Sequence, residues 1–178
     1  MQTIGSLTLH PALEHPELMG APVREALAGW KHGEHVLVAE IDPELADTAA
    51  MTEAYDVPLE ASANCVVVMG RRGGEERTAA CVVRADTRAD VNNVVRRALD
   101  VRKCSFLDHE RAVEETGMEY GGITPVGLPT DWRILVDEVV TGIDLACIGS
   151  GVRGSKLFLP GLHLTDLPGA EVVPDLAR

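Results

Sequence analysis

The amino-acid sequence predicts an α+β fold organised around a mixed β-sheet, and three observations point that way. First, Ala63 to Gly70 is a strongly apolar run containing three consecutive valines, and it returns across Gly73-Gly74 as Arg77 to Arg84, the pattern of a β-hairpin. Second, helical spacing then alternates with short apolar runs, so hairpins are mixed with helical crossovers. Third, the chain is 46% hydrophobic but only 3% aromatic, so the core must be built from aliphatic side chains. Its 178 residues fit one domain, read as 1–178 with an N-terminal extension over about 1–42.

Taken in order, Ile4 to Leu9 reads as a short strand and His10 to Pro22, with its three prolines, as irregular. Val23 to Trp30 reads as a short helix, and Glu34 to Ile41 as a strand. Asp42 is placed to cap a helix begun by Pro43 and running to about Ala54, because proline costs nothing at the first helical position. The hairpin follows. Ala89 to Leu99 puts Val91, Val94, Val95 and Ala98 on one face at helical spacing. Lys103 to Phe106 reads as a strand, and Asp108 opens a helix that includes Arg111 to Thr116. Strands are then expected at Arg133 to Asp137, Leu145 to Ile148 and Lys156 to Leu159, with a last helical turn at Leu162 to Leu167.

Charge and composition limit the function. The formal net charge is −12 and the pI near 4.8, which argues against a dedicated nucleic-acid binder, whose affinity rests on neutralising phosphates, but leaves room for a local basic face. The start of the chain lacks the pattern of a signal peptide, and no apolar stretch approaches a membrane span, so the expected location is the cytoplasm, away from membranes. Cys65, Cys81, Cys104 and Cys147 show no metal-binding spacing and read as buried free thiols. His32 and His35 lack a third ligand. Neither a metal nor another cofactor is expected.

The most informative stretch is Glu114 to Leu128, with four glycines and one proline in fifteen residues. Gly117 is placed to stop the preceding helix in a left-handed conformation. Gly121 and Gly122 permit close backbone approach, and Pro125 restricts Thr124 to extended geometry. Such a loop offers backbone N–H groups to carboxylates, phosphates or oxyanions. Taken alone, such a loop is more often an ordinary helix–loop–strand connection. A second glycine-rich turn runs from Gly149 to Ser155.

Together these segments resemble the YbaK/ProX family of aminoacyl-tRNA deacylases, closest to its YbaK/EbsC-like branch and related to the editing domain of prolyl-tRNA synthetases. The resemblance covers roughly Asp47 to Leu167. Its most specific part is Thr116-Gly117-Met118-Glu119-Tyr120-Gly121-Gly122-Ile123-Thr124-Pro125-Val126-Gly127. Gly151-Val152-Arg153-Gly154 is similar to the family's late turn.

The resemblance implies a barrel-like mixed sheet with surrounding helices. It also implies hydrolysis of the ester joining a wrong amino acid to the 3′ end of tRNA, with a synthetase as a possible further partner. Gly121, Gly122 and Pro125 would then be catalytic through backbone donors. Thr124, Gly127, Ser150, Gly151, Arg153 and Gly154 would bind substrate. Water oriented by the substrate's own ribose hydroxyl would attack.

One position departs from the family. Where many members carry a lysine in the first core strand, this chain has Asn64, which offers a donor and an acceptor but no charge. Asn64 is therefore a fourth catalytic candidate. The departure also admits a second class of function, a binding module for an aminoacyl, nucleotide or other small ligand. Cys65 as a nucleophile would need a nearby base or cation.

Overall fold

A computed structural model describes residues 2–178. Two five-stranded sheets make up the fold. The first has the order β1 (Gln2–Ile4), β2 (Leu7–Pro11), β3 (Leu37–Glu40), β9 (Ser155–Leu159), β8 (Ala146–Gly149), and all its pairings are antiparallel. The second has the order β10 (Ala170–Val173), β7 (Arg133–Asp137), β5 (Glu75–Arg84), β4 (Ala63–Arg72), β6 (Cys104–Phe106). Here β7 runs parallel to both β5 and β10, while β4 is antiparallel to β5 and β6. A single parallel bridge, Ser62 to Cys147, stitches the start of β4 to β8, and the two sheets curl together into a half-barrel. This is the mixed α+β architecture that the sequence predicts.

The β4–β5 hairpin forms because its two runs are strongly apolar and its turn suits the strand twist. Gly73 and Gly74 sit at φ +59° and +85°, the positive values that a two-residue hairpin turn requires. Val68, Ala79, Ala80, Cys81 and Val82 are fully buried, since β4 and β5 occupy the middle of their sheet. Asp108 caps α4 (His109–Thr116) by accepting from the N–H groups of Glu110 and Arg111. Gly117 ends that helix at φ +67°, as its sequence position predicts.

Four segments differ from expectation. Ile4 to Leu9 is not one strand but the two arms of a hairpin, because Gly5 turns at φ +52°, where a Cβ would lie 2.1 Å from the Tyr55 carbonyl oxygen. The helix expected from Pro43 to Ala54 is split. Asp42 caps only a 3₁₀ turn, Pro43–Leu45, before α2 (Thr48–Tyr55) begins. At the break, the Ala46 carbonyl accepts from Lys156 Nζ at 2.8 Å. The helix expected over Ala89 to Leu99 opens as a π-turn, Val91–Val95, capped by Asp90, and becomes α3 (Arg96–Ala98). Finally, β10 carries too weak an alternation to stand out in the sequence, since its Ala170, Glu171, Val172 and Val173 are all at least partly exposed.

Residues 2–42 join the same body. β3 pairs with β9, α1 (Ala21–Gly29) buries Val23 and Leu27, and Gly20 N–H donates to the Ser150 carbonyl at 3.0 Å. At the other end, Leu176 is fully buried beside Val91 and Leu99. Arg88 and Arg178 exchange backbone hydrogen bonds of 2.9 and 3.0 Å. No helix among the described residues is long and apolar enough to cross a membrane.

Candidate active site

A cleft of about 400 Å³ opens at the seam between the sheets, within the range of small-molecule sites. One wall is the first half of β4, from Ser62 to Val67. A second is the end of β8, Cys147 to Gly149, together with Lys156 of β9. The break before α2 supplies Ala46, Asp47 and Thr48, and the mouth is edged by Phe106, His109, Tyr120 and Gly121. The rings of His109 and Tyr120 lie 4.1 Å apart.

Lys156 is the cleft's buried cation, only 6% exposed. Its Nζ donates to the Ala46 carbonyl, and its two other N–H groups have no acceptor among the described residues. Burial pulls its pKa down, partly opposed by the neighbouring Cys147 and Asp47. In sequence Lys156 reads as a solvated or phosphate-facing lysine, whereas the structure buries it. The available signal was an isolated lysine inside the apolar strand Ser-Lys-Leu-Phe-Leu.

Asn64 faces the cleft from the opposite sheet. Its Oδ1 accepts from Thr48 Oγ1 at 2.7 Å, and its Nδ2 has no acceptor among the described residues, so a neutral donor remains free. Cys65 and Cys147 also line the cleft, but desolvation pushes both thiols up to about 12. They stay protonated near neutral pH and are poor nucleophiles.

The glycine loop divides into a front and a back. Gly121 and Ile123 line the cleft, and their N–H groups have no acceptor among the described residues. Gly121 sits at φ +87°, and a Cβ there would lie 2.5 Å from Arg153 Nη1. Gly122 lies behind, and its N–H is not a free donor as expected, because it donates to the Glu119 carbonyl at 2.9 Å. A Cβ on Gly122 would strike the Val152 backbone at 2.5 Å. Thr124 and Pro125 are buried outside the cleft lining. Gly127, at φ +85°, packs against Pro22.

Beyond Gly149, which lines the cleft, the second glycine-rich turn supports this loop from outside. Ser150 is buried, and its hydroxyl bonds with Ser155 and the Val152 carbonyl. Gly151 donates its N–H to the Gly122 carbonyl at 2.7 Å. Gly154 accepts from Ile41 N–H. Arg153 reaches the Pro43 and Tyr120 carbonyls at 3.1 and 3.2 Å, so its guanidinium ties Tyr120-Gly121 to the turn before α2.

Solved structures share this fold. One, a protein described as a candidate trans-editing enzyme for prolyl-tRNA synthetase, superposes with a TM-score of 0.74 at 22% identity, covering 87% of this chain and 94% of that one. Another, described only as a hypothetical protein, gives 0.76 at 20% identity, covering 88% and 99%. Curated proline–tRNA ligases also match. That of Listeria monocytogenes serotype 4a (strain HCC23) is 26% identical over 125 residues, which is 67% of this chain and 21% of the ligase. That of Listeria innocua serovar 6a is 28% identical over 107 residues, or 60% and 18%. The chain therefore spans about a fifth of the length of these relatives. The family profile of the aminoacyl-tRNA editing domain matches residues 42–167, and the chain belongs to that family.

Proposed function

We propose that the seam cleft hydrolyses the ester of a mischarged aminoacyl-tRNA, acting in trans. One observation carries this reading: a buried ammonium, Lys156, shares a cleft with the Gly121 and Ile123 N–H groups and Asn64 Nδ2, none of which has an acceptor among the described residues. Ester hydrolysis passes through a tetrahedral oxyanion, and preorganised donors in a water-poor site stabilise it.

In the proposed reaction, water attacks the ester carbonyl carbon. Gly121 N–H, Ile123 N–H and the Lys156 ammonium hold the resulting oxyanion. The carbon–oxygen bond to the terminal ribose then breaks, releasing the amino acid and returning a proton to the ribose oxygen. Asn64 Nδ2 anchors a substrate oxygen. With both cleft thiols protonated, the attacking group is water oriented by the substrate's vicinal hydroxyl.

The family resemblance implies a small amino acid such as alanine or cysteine, and a cleft of about 400 Å³ has room for the ribose beside it. A panel of tRNAs mischarged with different amino acids tests this. Release well above the blank for at least one small amino acid is expected. The neutral Asn64 favours a second reading, a module that binds an aminoacyl ligand without cleaving it. No release from any substrate, with retained binding of an aminoacyl analogue, would select that reading.

A further inference from the structure

The basic residues of this acidic chain are not spread evenly. Arg71 and Arg72 from the tip of the β4–β5 hairpin, Arg96 and Arg97 from α3, and Arg102 line one surface cleft, with Asp100 as the only acid among them. Asp100 pairs with Arg72 and Arg77, and Arg71 pairs with Glu76. Arg96 and Arg97 donate Nε–H only to the Asn92 and Asn93 carbonyls. Arg102 and the adjacent Lys103 are exposed and form no ion pair among the described residues. A cluster of guanidiniums with so few carboxylates is the arrangement that phosphates satisfy, because the planar fork bonds two oxygens at once.

The arginine cleft and the seam cleft share two strands. β4 begins in the seam cleft and ends at Arg71–Arg72. β6 lies at the open edge of the same sheet, paired Val68 to Phe106 and Gly70 to Cys104. The chain therefore runs from Arg102 in one cleft to Phe106 in the other. Those four steps cover about 13 Å at roughly 3.3 Å per residue, the length of about four stacked nucleotides. At the seam end, Phe106 is 66% exposed and Tyr120 is 51% exposed. The chain has only two phenylalanines and two tyrosines, and one of each stands open at this mouth. Exposed aromatic faces beside a basic groove are how single-stranded nucleic acid is held without regard to sequence.

We infer that the β6 edge is a track for the 3′ strand of the acceptor end, with a base stacked on Phe106 and the preceding phosphates and duplex end held by Arg96, Arg97 and Arg102. The inference rests on the proposed ester-hydrolysing role of the seam cleft. It explains how a chain of net charge −12 engages a polyanion, since the attraction is confined to one edge.

The test uses the full chain and an RNA hairpin with a 3′ overhang of about four nucleotides, with a blunt hairpin and poly-glutamate as controls. Fluorescence anisotropy gives the affinity at several salt concentrations. The triple change Arg96→Gln, Arg97→Gln, Arg102→Gln should weaken binding of the overhang hairpin. It should also flatten the slope of log K against log salt by roughly 0.7–0.9 for each phosphate that is no longer neutralised. Hydrolysis of a small aminoacyl ester of adenosine should be unchanged in that variant. Phe106→Ala should weaken overhang binding by roughly 5- to 150-fold and leave blunt-hairpin binding as it was.

Wild-type affinity and salt slope in the triple variant would overturn the inference. So would tighter capture of poly-glutamate than of RNA, abolished in the triple variant, because the cleft would then serve an acidic protein. If RNA binding responds as expected but no charged tRNA is ever hydrolysed, the track stands and the ester-hydrolysing role is the part that fails.

Discussion

Lys156 on β9 and Asn64 on β4 reach one cleft from two different sheets. The cleft therefore holds an ammonium on the wall opposite Asn64. Removing a hydrogen bond to a charged group costs about 1.5–3 kcal/mol. Lys156→Met should therefore lower kcat/KM roughly 10- to 150-fold. Asn64→Lys alone loses the Thr48 bond and sets two ammoniums in one cleft, so its activity should fall. Combined with Lys156→Met, it should recover much of the loss. A double variant no better than Lys156→Met would show that the ammonium cannot act from β4.

Burial also makes Lys156 a test of stability against function. Its folded-state pKa is lowered by burial, so the charged form is held less favourably in the folded protein than in the unfolded chain. Lys156→Met should melt at or above the wild-type temperature while losing activity. A clear drop in melting temperature would reduce Lys156 to a structural role.

The same shift sets a pH limit. The ammonium is the working form, and the lowered pKa lets it deprotonate below the ordinary lysine value of 10.5. Activity above the blank should therefore fall on the alkaline side before a free lysine would titrate. Lys156→Arg, which stays protonated, should carry whatever activity it keeps to higher pH. Overlapping alkaline limbs in the two proteins would exclude Lys156 as the titrating group.

Gly121 admits no side chain without rearrangement. Its φ of +87° strains any L-residue, and a Cβ would displace the Arg153 guanidinium. Losing one oxyanion donor costs roughly 100- to 1,000-fold, so Gly121→Val should lower turnover by about that much. Circular dichroism should show the fold retained, because the loop's packing behind Gly122 does not depend on Gly121. Near-normal turnover in a folded variant would remove the loop from the chemistry.

Away from the cleft, His163 stacks on His32 at 3.8 Å, and His32 bonds Asp166 at 2.8 Å. Burial, then His32 and His35, hold the His163 pKa below its usual 6.5, with Asp166 opposing and Lys31 adding to the shift. On acidification the unfolded chain binds this proton first. Stability is thus complete above about 6.5 and is lost as pH falls through that value toward the lowered one. His163→Phe keeps a stacked ring and removes the titration, so its melting temperature should drop less than wild type between about pH 7.5 and about pH 5. Parallel melting curves would rule this out.

Much of the fold was legible because the β4–β5 hairpin, the Asp108 cap and the Gly117 stop are local signals in which chain conformation follows from neighbouring residues. The π-turn at Val91–Val95 and the break before α2 were not legible. Each depends on a distant partner, such as the Lys156 ammonium drawn to the Ala46 carbonyl. Of the residues that the family resemblance singles out, Gly121 and Asn64 line the candidate cleft. Lys156 could not be placed from sequence, because whether a lysine in a run of apolar residues points into a cleft is decided by how two sheets meet. Likewise, nothing in the spacing of Gly121, Gly122 and Pro125 reveals that the first lines the cleft while the other two stand behind it.

Leu176 closes the second sheet's core, and the backbone of Arg178 is bonded to that of Arg88. During synthesis, Val91 and Leu99 leave the ribosome long before the side chain that covers them. Until Leu176 emerges, a nascent chain carries an uncovered aliphatic face beside β5 and β7, a period in which chaperone holding matters and self-association competes with closure.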